Sequence, residues 1–215
     1  MEHTALAWLW RPPVAVPDEL HATEVGWVPW QILIRDGIAR HVWGAIAIAA
    51  DTPETPRIRA TSVSPLVPAR GVIGRSAAVW VHAGGPRPGR IDVLVAPRAR
   101  RPDPHPLRVA HESALASGDV VAVGPVRVTT VERTAVDVAR WAGHDAASLL
   151  ERLVHGAGLD PGRALDVLDT LPGHRGARDA RAALGALARS EPGAAADLSP
   201  GAPRSPHARH PPARR

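Results

Sequence analysis

Arginine and histidine are the side chains with which this sequence could do chemistry. All 26 of its basic residues are Arg, 11 residues are His, and Cys, Lys and Tyr are absent. Thiolate zinc sites, cysteine nucleophiles, lysine Schiff bases and phenolic acid–base catalysis are therefore excluded.

The remaining catalytic and metal-binding patterns are weak. His111-Glu112 and the pair His207 and His210 are the closest metal-like groups, and neither has a third ligand at a typical spacing. Ser76 and Ser113 lack the Gly-x-Ser-x-Gly turn of a serine nucleophile. Residues 71–74 lack the Gly-x-x-x-x-Gly-Lys pattern of a phosphate loop. The sequence thus predicts no catalytic residue, no metal ligand and no cofactor.

Binding is the chemistry that the arginines favour. They are concentrated in one stretch of the chain, which contains Arg87, Arg90, Arg98, Arg100, Arg101 and Arg108. Guanidinium groups bind phosphates and carboxylates through paired hydrogen bonds, so this stretch could contact nucleic acid or an acidic protein. It could equally be a solvated loop between two strands. We take Arg98, Arg100 and Arg101 as candidates for contact with a partner or with a nucleic-acid backbone.

The distribution of charge qualifies a nucleic-acid interpretation. The net charge is +5 and the pI is about 11.3. Residues 1–50 are nevertheless net −2, residues 51–130 are net +5, residues 131–199 are net −2 and residues 200–215 are net +4. Much of the basic excess therefore belongs to the last 16 residues, and the folded surplus is confined to the middle of the chain.

Hydrophobic patterning predicts how these residues are positioned. Residues 20–25 and 30–36 are expected to be helices, and residues 38–42 and 45–48 to be strands. Two helices followed by a hairpin is the order of a winged helix-turn-helix, so residues 1–50 are assigned to such a head. Gln31 and Arg35 on its second helix, and Arg40 on its hairpin, are the candidate DNA-binding residues.

The rest of the chain predicts an α+β protein. The Pro- and Thr-rich residues 51–69 are expected to form a linker, and residues 70–189 a mixed α/β domain that ends in a helical block. Ser76 is the expected N-cap of a helix over residues 76–82. Residues 190–215, rich in Pro and Arg, are expected to form a disordered tail.

The helix predicted over residues 129–141 contains the clearest pattern of polar residues in the sequence. Thr129 and Glu132 have the spacing of a capping box. Arg133, Thr134 and Asp137 follow, with Arg133 and Asp137 one helical turn apart. This motif could be a partner contact or a structural ion pair that holds the helix to a sheet, and the sequence leaves both open.

Three stretches resemble the AbiEi-type antitoxin-like proteins, which are common in actinobacteria. They are the RDGIARHVWGAIAI hairpin, VIGRSAAVWVHAG at residues 72–84 and VRVTTVERTAVDVARWAG at residues 126–143. The third motif is the most specific. The resemblance implies a non-catalytic regulator whose winged helix binds operator DNA and whose larger domain opposes a nucleotidyltransferase-like toxin.

The chain departs from that family in two respects. The second helix of the head usually presents Arg, whereas this head is net −2. The endonuclease-like domain that follows in many relatives is replaced by EPGAAADLSPGAPRSP and a basic tail. An interaction protein with a degenerate DNA-binding head, or a relative that has lost a fused endonuclease-like domain, are the alternatives.

Location and assembly are weakly specified. Residues 1–10 are apolar but carry no basic stretch and are followed by Arg11-Pro12-Pro13, so they predict neither a signal peptide nor a membrane span. A cytoplasmic protein with no membrane partner is expected, and the sequence does not predict its oligomeric state.

Overall fold

The computed structural model describes residues 17–171 and 175–190. The expected tail lies outside the described residues, except for Ser190, which ends the last helix. The chain is a mixed α+β protein, as expected from the sequence. Its eight helices and eight strands in the described ranges form a small head, a five-stranded sheet and a helical block.

The head combines two helices with a three-stranded antiparallel sheet. Strand β1 (Leu20–His21) leads into α1 (Ala22–Val25) and α2 (Trp27–Arg35), which are followed by the hairpin of β2 (Ala39–Trp43) and β3 (Ile46–Ala49). The strand order is β1-β3-β2. The predicted order of two helices and a hairpin is therefore present.

Two details of the head differ from the sequence prediction. Leu20 and His21 are strand rather than helix, because they pair with Ala47 and Ile46 across the sheet. Helix α2 begins at Trp27 rather than Trp30, directly after Gly26, whose φ of +88° suits glycine. Pairing with a distant strand and the geometry of one glycine set these two boundaries.

The expected linker is wrong, because residues 51–69 contain a buried helix. Helix α3 (Pro56–Val63) begins after Thr55, whose side chain accepts a hydrogen bond from the backbone N–H of Ile58 at 3.3 Å. Proline is tolerated at a first helical position, so Pro56 starts the helix rather than breaking it. Ile58, Ala60 and Val63 are buried, and a 3-10 turn (Ser64–Leu66) follows.

The larger sheet is mixed. Its strands are β4 (Val72–Ile73), β5 (Ile91–Val95), β6 (Arg108–Glu112), β7 (Val120–Val123) and β8 (Val126–Thr129), in the order β6-β5-β4-β8-β7. Pairs β4–β5 and β7–β8 are antiparallel, whereas β4–β8 and β5–β6 are parallel. Helix α4 (Arg75–Ala83) connects β4 to β5. It begins after Gly74 and one residue before the predicted N-cap Ser76, which makes no capping hydrogen bond.

The helical block consists of α5 (Val131–Trp141), α6 (Ala146–Ala157), α7 (Pro161–Asp169) and α8 (Ala177–Ser190). Asp160 caps α7, since its carboxylate accepts from the N–H groups of Gly162 and Arg163. The cap of α5 is Thr130 rather than Thr129, with its hydroxyl accepting from the N–H of Arg133 at 3.3 Å. Thr129 instead ends β8 and is fully buried.

One hydrophobic core joins the head to the larger sheet. Val42, Ile46 and Ile48 of the hairpin belong to the same buried cluster as Ile58 of α3 and Trp80 of α4. The rings of Trp43 and Trp80 lie 5.7 Å apart. A second core lies between α4 and the helical block. The head is thus packed onto the rest of the chain through α3, in place of the predicted linker.

The helices of the described ranges are all too short or too polar to cross a bilayer.

Candidate nucleic-acid interface

The predicted DNA-binding arginines of the head both lie beside carboxylates. Arg35 is exposed on α2, and its Nε donates to the Asp36 carboxylate at 2.8 Å. Arg40 on β2 donates to the Glu54 carboxylate at 2.8 Å and to the carbonyl oxygen of Thr52 at 3.1 Å. Gln31 is exposed on α2. These pairings lower the positive potential that a phosphate backbone would meet at the head.

The exposed face of α2 is mainly apolar. Trp27 and Val28 are 55% and 69% exposed, and Ile32 is 41% exposed. Ile38, directly after the helix, is 59% exposed. Apolar side chains grouped in this way favour contact with a protein surface over contact with duplex phosphates.

The candidate arginines of the middle region lie on a loop at the end of β5. Arg98, Arg100 and Arg101 are all exposed. Arg98 has a φ of +62°, which is unusual for a residue with a side chain. Arg101 lies 3.3 Å from the Glu112 carboxylate, in an exposed pair like that of Arg35 and Asp36 in the head.

Two further exposed arginines join this loop in space. Arg70 precedes β4, and Arg127 lies on β8, where its Nη2 donates to the carbonyl oxygen of Gly71 at 3.4 Å. We call the set Arg70, Arg98, Arg100, Arg101 and Arg127 the arginine face.

Two adjoining clefts run across the arginine face. One cleft, of about 630 Å³, is lined by Arg70, Arg100 and Arg101. The other, of about 650 Å³, is lined by Arg70 and Arg127. The clefts share Arg70 and Ala96, so they form one continuous depression whose charged lining is four arginines and one carboxylate, that of Asp103.

The other arginines of the predicted cluster are tied to the backbone elsewhere. Arg87 reaches the hairpin of the head, where Nη1 donates to the carbonyl oxygen of Val42 at 3.0 Å. Arg108 donates to the carbonyl oxygen of Leu66 at 2.9 Å, and Arg90 to that of Arg108 at 3.2 Å. The arginines that form one cluster in the sequence therefore fall into two groups in the structure. Some bind backbone carbonyl groups, and the others face solvent.

The Arg133 motif forms a buried polar network. Arg133 is 2% exposed and donates to the carboxylates of Asp119 at 2.7 Å and Asp137 at 3.2 Å. Its Nη2 also donates to the Ser113 hydroxyl at 3.0 Å. Thr134 is fully buried, with its hydroxyl 2.6 Å from that of Thr129. These contacts join α5 to the segment before β7 and to the end of β8.

Burial dominates the electrostatics of Asp137. Desolvation raises the pKa of its carboxyl group, and the charges of Arg133 and Arg140 oppose that rise. The guanidinium of Arg140 lies 3.9 Å from the second carboxylate oxygen. This carboxylate is held by cations on two sides.

A Ser–Asp–His cluster lies at the start of α4, but its geometry is not that of a nucleophilic triad. The Ser76 hydroxyl donates to one Asp92 oxygen at 2.9 Å, and His111 Nε2 donates to the other at 2.7 Å. In a triad the histidine lies between the serine and the carboxylate, where it can take the serine proton. Here the carboxylate lies between them, so it orients both groups and activates neither.

Sequence reasoning missed Arg70 and Arg127. Each is an isolated arginine in its own segment, and they meet because β4 pairs with β8 in the sheet. The strand order needed to find them was not available from local patterns. Groups of three or more His, Asp or Glu side chains arranged to hold a metal are absent from the ranges 17–171 and 175–190.

Comparison with known protein families gives no match, and comparison with curated proteins gives none. Among solved structures, the chain is similar to the crystal structure of the RV2827C protein from Mycobacterium tuberculosis. The TM-score is 0.32 and the sequence identity 17%, over 79% of this chain and 76% of that chain. A likeness of this size carries no argument about the function of this chain.

Proposed function

We propose that this chain is a non-catalytic, antitoxin-like regulatory protein that binds duplex DNA through the arginine face. The observation that carries the proposal is the convergence of four exposed arginines from three segments, Arg70, Arg100, Arg101 and Arg127, on one continuous depression, with Arg98 on the adjoining loop. The regulatory role is supported by the resemblance of residues 126–143 to the AbiEi-type signature. The location of the DNA contact differs from the one that the resemblance implies.

The scarcity of counterions around the arginine face supports the proposed DNA binding. Within the described ranges, Arg101 is the member of the arginine face with a carboxylate at ion-pair distance. Arg70, Arg98, Arg100 and Arg127 thus keep their positive charge uncompensated at the surface. Guanidinium forks bind phosphate oxygens in pairs, and release of counterions from DNA adds to the affinity.

A salt titration tests the proposal. We would measure binding of a labelled duplex from the chain's own promoter by fluorescence anisotropy over a range of salt concentrations. The logarithm of the affinity should fall linearly with the logarithm of salt, by about 0.9 per phosphate contact. The double variant Arg100→Ala/Arg127→Ala should make that slope shallower by the amount expected for the loss of about two phosphate contacts.

The matched control is Arg35→Ala/Arg40→Ala, which removes the same charge from the head. It should leave the slope unchanged. All measurements are repeated in a background in which Arg204, Arg209, Arg214 and Arg215 are replaced by Ala, because the C-terminal arginines could bind DNA nonspecifically. A loss of binding confined to the head variant, or no binding at low salt, would contradict the proposal.

A second function is supported by the apolar face of α2. Trp27, Val28 and Ile32 suit a protein partner, and the family resemblance indicates a nucleotidyltransferase-like toxin. If such a protein is encoded beside this chain, Val28→Asp/Ile32→Asp should abolish their co-purification, whereas Gln31→Ala should not. Co-purification that survives the double aspartate variant would move the toxin contact elsewhere.

A further inference from the structure

A cavity with an excess of positive charge lies between Leu94 of β5 and one face of helix α5. It has a volume of about 300 Å³. Its charged lining consists of four arginines and two carboxylates, Arg75, Arg133, Arg140, Arg175, Glu112 and Asp137. This leaves a surplus of two positive charges around a space large enough for a small ligand.

The two carboxylates are already engaged. Asp137 accepts from Arg133 at 3.2 Å, and Glu112 lies 3.3 Å from Arg101, which is outside the cavity. Arg133 is compensated as well, since it also donates to Asp119 at 2.7 Å. The arginines of the lining without a close counterion are therefore Arg75, Arg140 and Arg175, of which Arg175 is exposed to solvent.

Arg75 lacks an acceptor within the described part of the chain. The polar atom beside its Nη1 is His111 Nε2, at 3.4 Å. That nitrogen lies 2.7 Å from an Asp92 oxygen and carries its hydrogen toward it, so it has no lone pair to offer Arg75. The guanidinium of Arg75 keeps its donors for another group.

Arg140 is in a similar position. Its Nε donates to the carbonyl oxygen of Arg175 at 3.1 Å, but its Nη1 is 3.9 Å from Asp137, beyond hydrogen-bonding distance. Its side chain is 8% exposed. Burial lowers the pKa of Arg140, and the charge of Asp137 opposes that shift only in part.

Trp141 holds the two guanidinium groups together. The guanidinium carbon of Arg75 is 5.4 Å from the centre of the indole ring, and that of Arg140 is 5.0 Å away. Cation–π contacts of this kind fix the direction of the remaining N–H groups. Arg75 also has a φ of +52°, and such strained residues are concentrated at ligand sites.

We propose that this cavity binds a phosphate-class anion, with Arg75 and Arg140 as the donors and Trp141 as the support that orients them. A tetrahedral oxyanion can accept paired hydrogen bonds from two guanidinium forks. The anion would supply the negative charge that the lining lacks. Inorganic phosphate and the phosphoryl group of a nucleotide share this chemistry. The cavity adjoins the cleft beside Arg127 at Leu94, Ser113 and Ala114, but its donor arginines are not those of the arginine face.

Thermal unfolding and tryptophan fluorescence of the full-length chain test the site. Inorganic phosphate should raise Tm in a saturable way, because a ligand that binds the folded state stabilises it. The same titration with AMP and with ATP distinguishes the sources. Tighter binding of a nucleotide identifies a nucleotide site, and equal binding identifies a site for the phosphate group itself.

The informative variant is Arg75→Gly. Glycine suits the positive φ at this position, so the variant should fold with a Tm in the absence of ligand no lower than that of the wild type. Its affinity for phosphate should nevertheless fall at least about tenfold, and so should that of Arg140→Gln. Arg178→Gln removes an equal charge from the exposed surface of α8 and should bind normally.

Three results would overturn the proposal. One is the absence of a saturable shift with phosphate or either nucleotide. Another is a shift of equal size with chloride at matched ionic strength, which would indicate a general salt effect. The third is unchanged phosphate affinity in a folded Arg75→Gly protein. None of these results bears on DNA binding by the arginine face.

Discussion

Arg133 and Asp119 are joined by a buried hydrogen bond of 2.7 Å that links helix α5 to the segment before strand β7. Arg133 also bonds Asp137 one turn along its own helix. The guanidinium thus connects a local pair to a long-range one, and the sequence motif around it is a structural element of the larger domain.

Removal of this guanidinium should strongly destabilise the fold. We expect Arg133→Ala to lower the free energy of unfolding by about 3–5 kcal/mol, because the buried carboxylate of Asp119 loses its counterion and that of Asp137 loses the nearer of its two cations. Arg133→Lys should recover part of that loss, since an ammonium cannot reproduce the fork. Urea denaturation provides the measurement. The control is Arg163→Ala, which breaks an exposed pair with Asp160 and should change stability by less than about 0.5 kcal/mol.

His82 should make stability sensitive to acid. Its Nε2 donates to the carbonyl oxygen of Thr129 at 2.7 Å, and burial lowers its pKa below the ordinary 6.5. The unfolded chain therefore binds a proton at a higher pH than the folded chain does. The stability associated with the neutral ring is present above about pH 6.5 and is lost as the pH falls through the lowered folded pKa.

The variant His82→Gln tests this linkage, since its amide can donate to the same carbonyl oxygen but does not titrate. Denaturant midpoints between about pH 7.5 and 5.5 should fall less steeply in the variant than in the wild type. Parallel pH profiles for the two proteins would show that another group is responsible.

Two helical glycines should respond to alanine with opposite signs. A Cβ on Gly156 of α6 would lie 2.9 Å from the Cβ and 3.0 Å from the backbone oxygen of Ala83 on α4. Gly156→Ala should therefore destabilise the protein by about 1–2 kcal/mol through overpacking. Gly185→Ala should stabilise it by about 0.5–1 kcal/mol, because its Cβ would meet only the flexible end of Arg189 at 3.4 Å. Stabilisation by both substitutions would mean that α4 and α6 can move apart.

Arg98→Gly should separate stability from binding at the arginine face. The φ of +62° at Arg98 is unfavourable for a side chain, so glycine should maintain stability or raise it by up to about 1 kcal/mol. Affinity for duplex DNA should decrease at the same time. The dependence of log affinity on log salt concentration should become shallower by the amount expected for about one phosphate contact. Denaturation and anisotropy on the same preparation measure both effects. Unchanged DNA affinity would remove Arg98 from the interface.

Sequence patterns predicted the local structure of this protein. The one-turn spacing of Arg133 and Asp137 gives an ion pair. The apolar pattern also placed the two strands of the head hairpin to within one residue, at Ala39–Trp43 and Ile46–Ala49. These features depend on residues within a few positions of one another, so the chain order already contains the needed information.

Tertiary structure decided the features that depend on distant segments. The Pro-rich stretch forms helix α3 because the helix buries Ile58 and Val63 in the hydrophobic core. Arg127 reached the backbone before β4 through strand pairing, and Arg40 was matched with Glu54. The sequence by itself determined which side chains are charged and which short segments are helix or strand. Which charges are compensated, and which face solvent or a cavity, followed from strand order and packing, because a counterion is defined by distance in space.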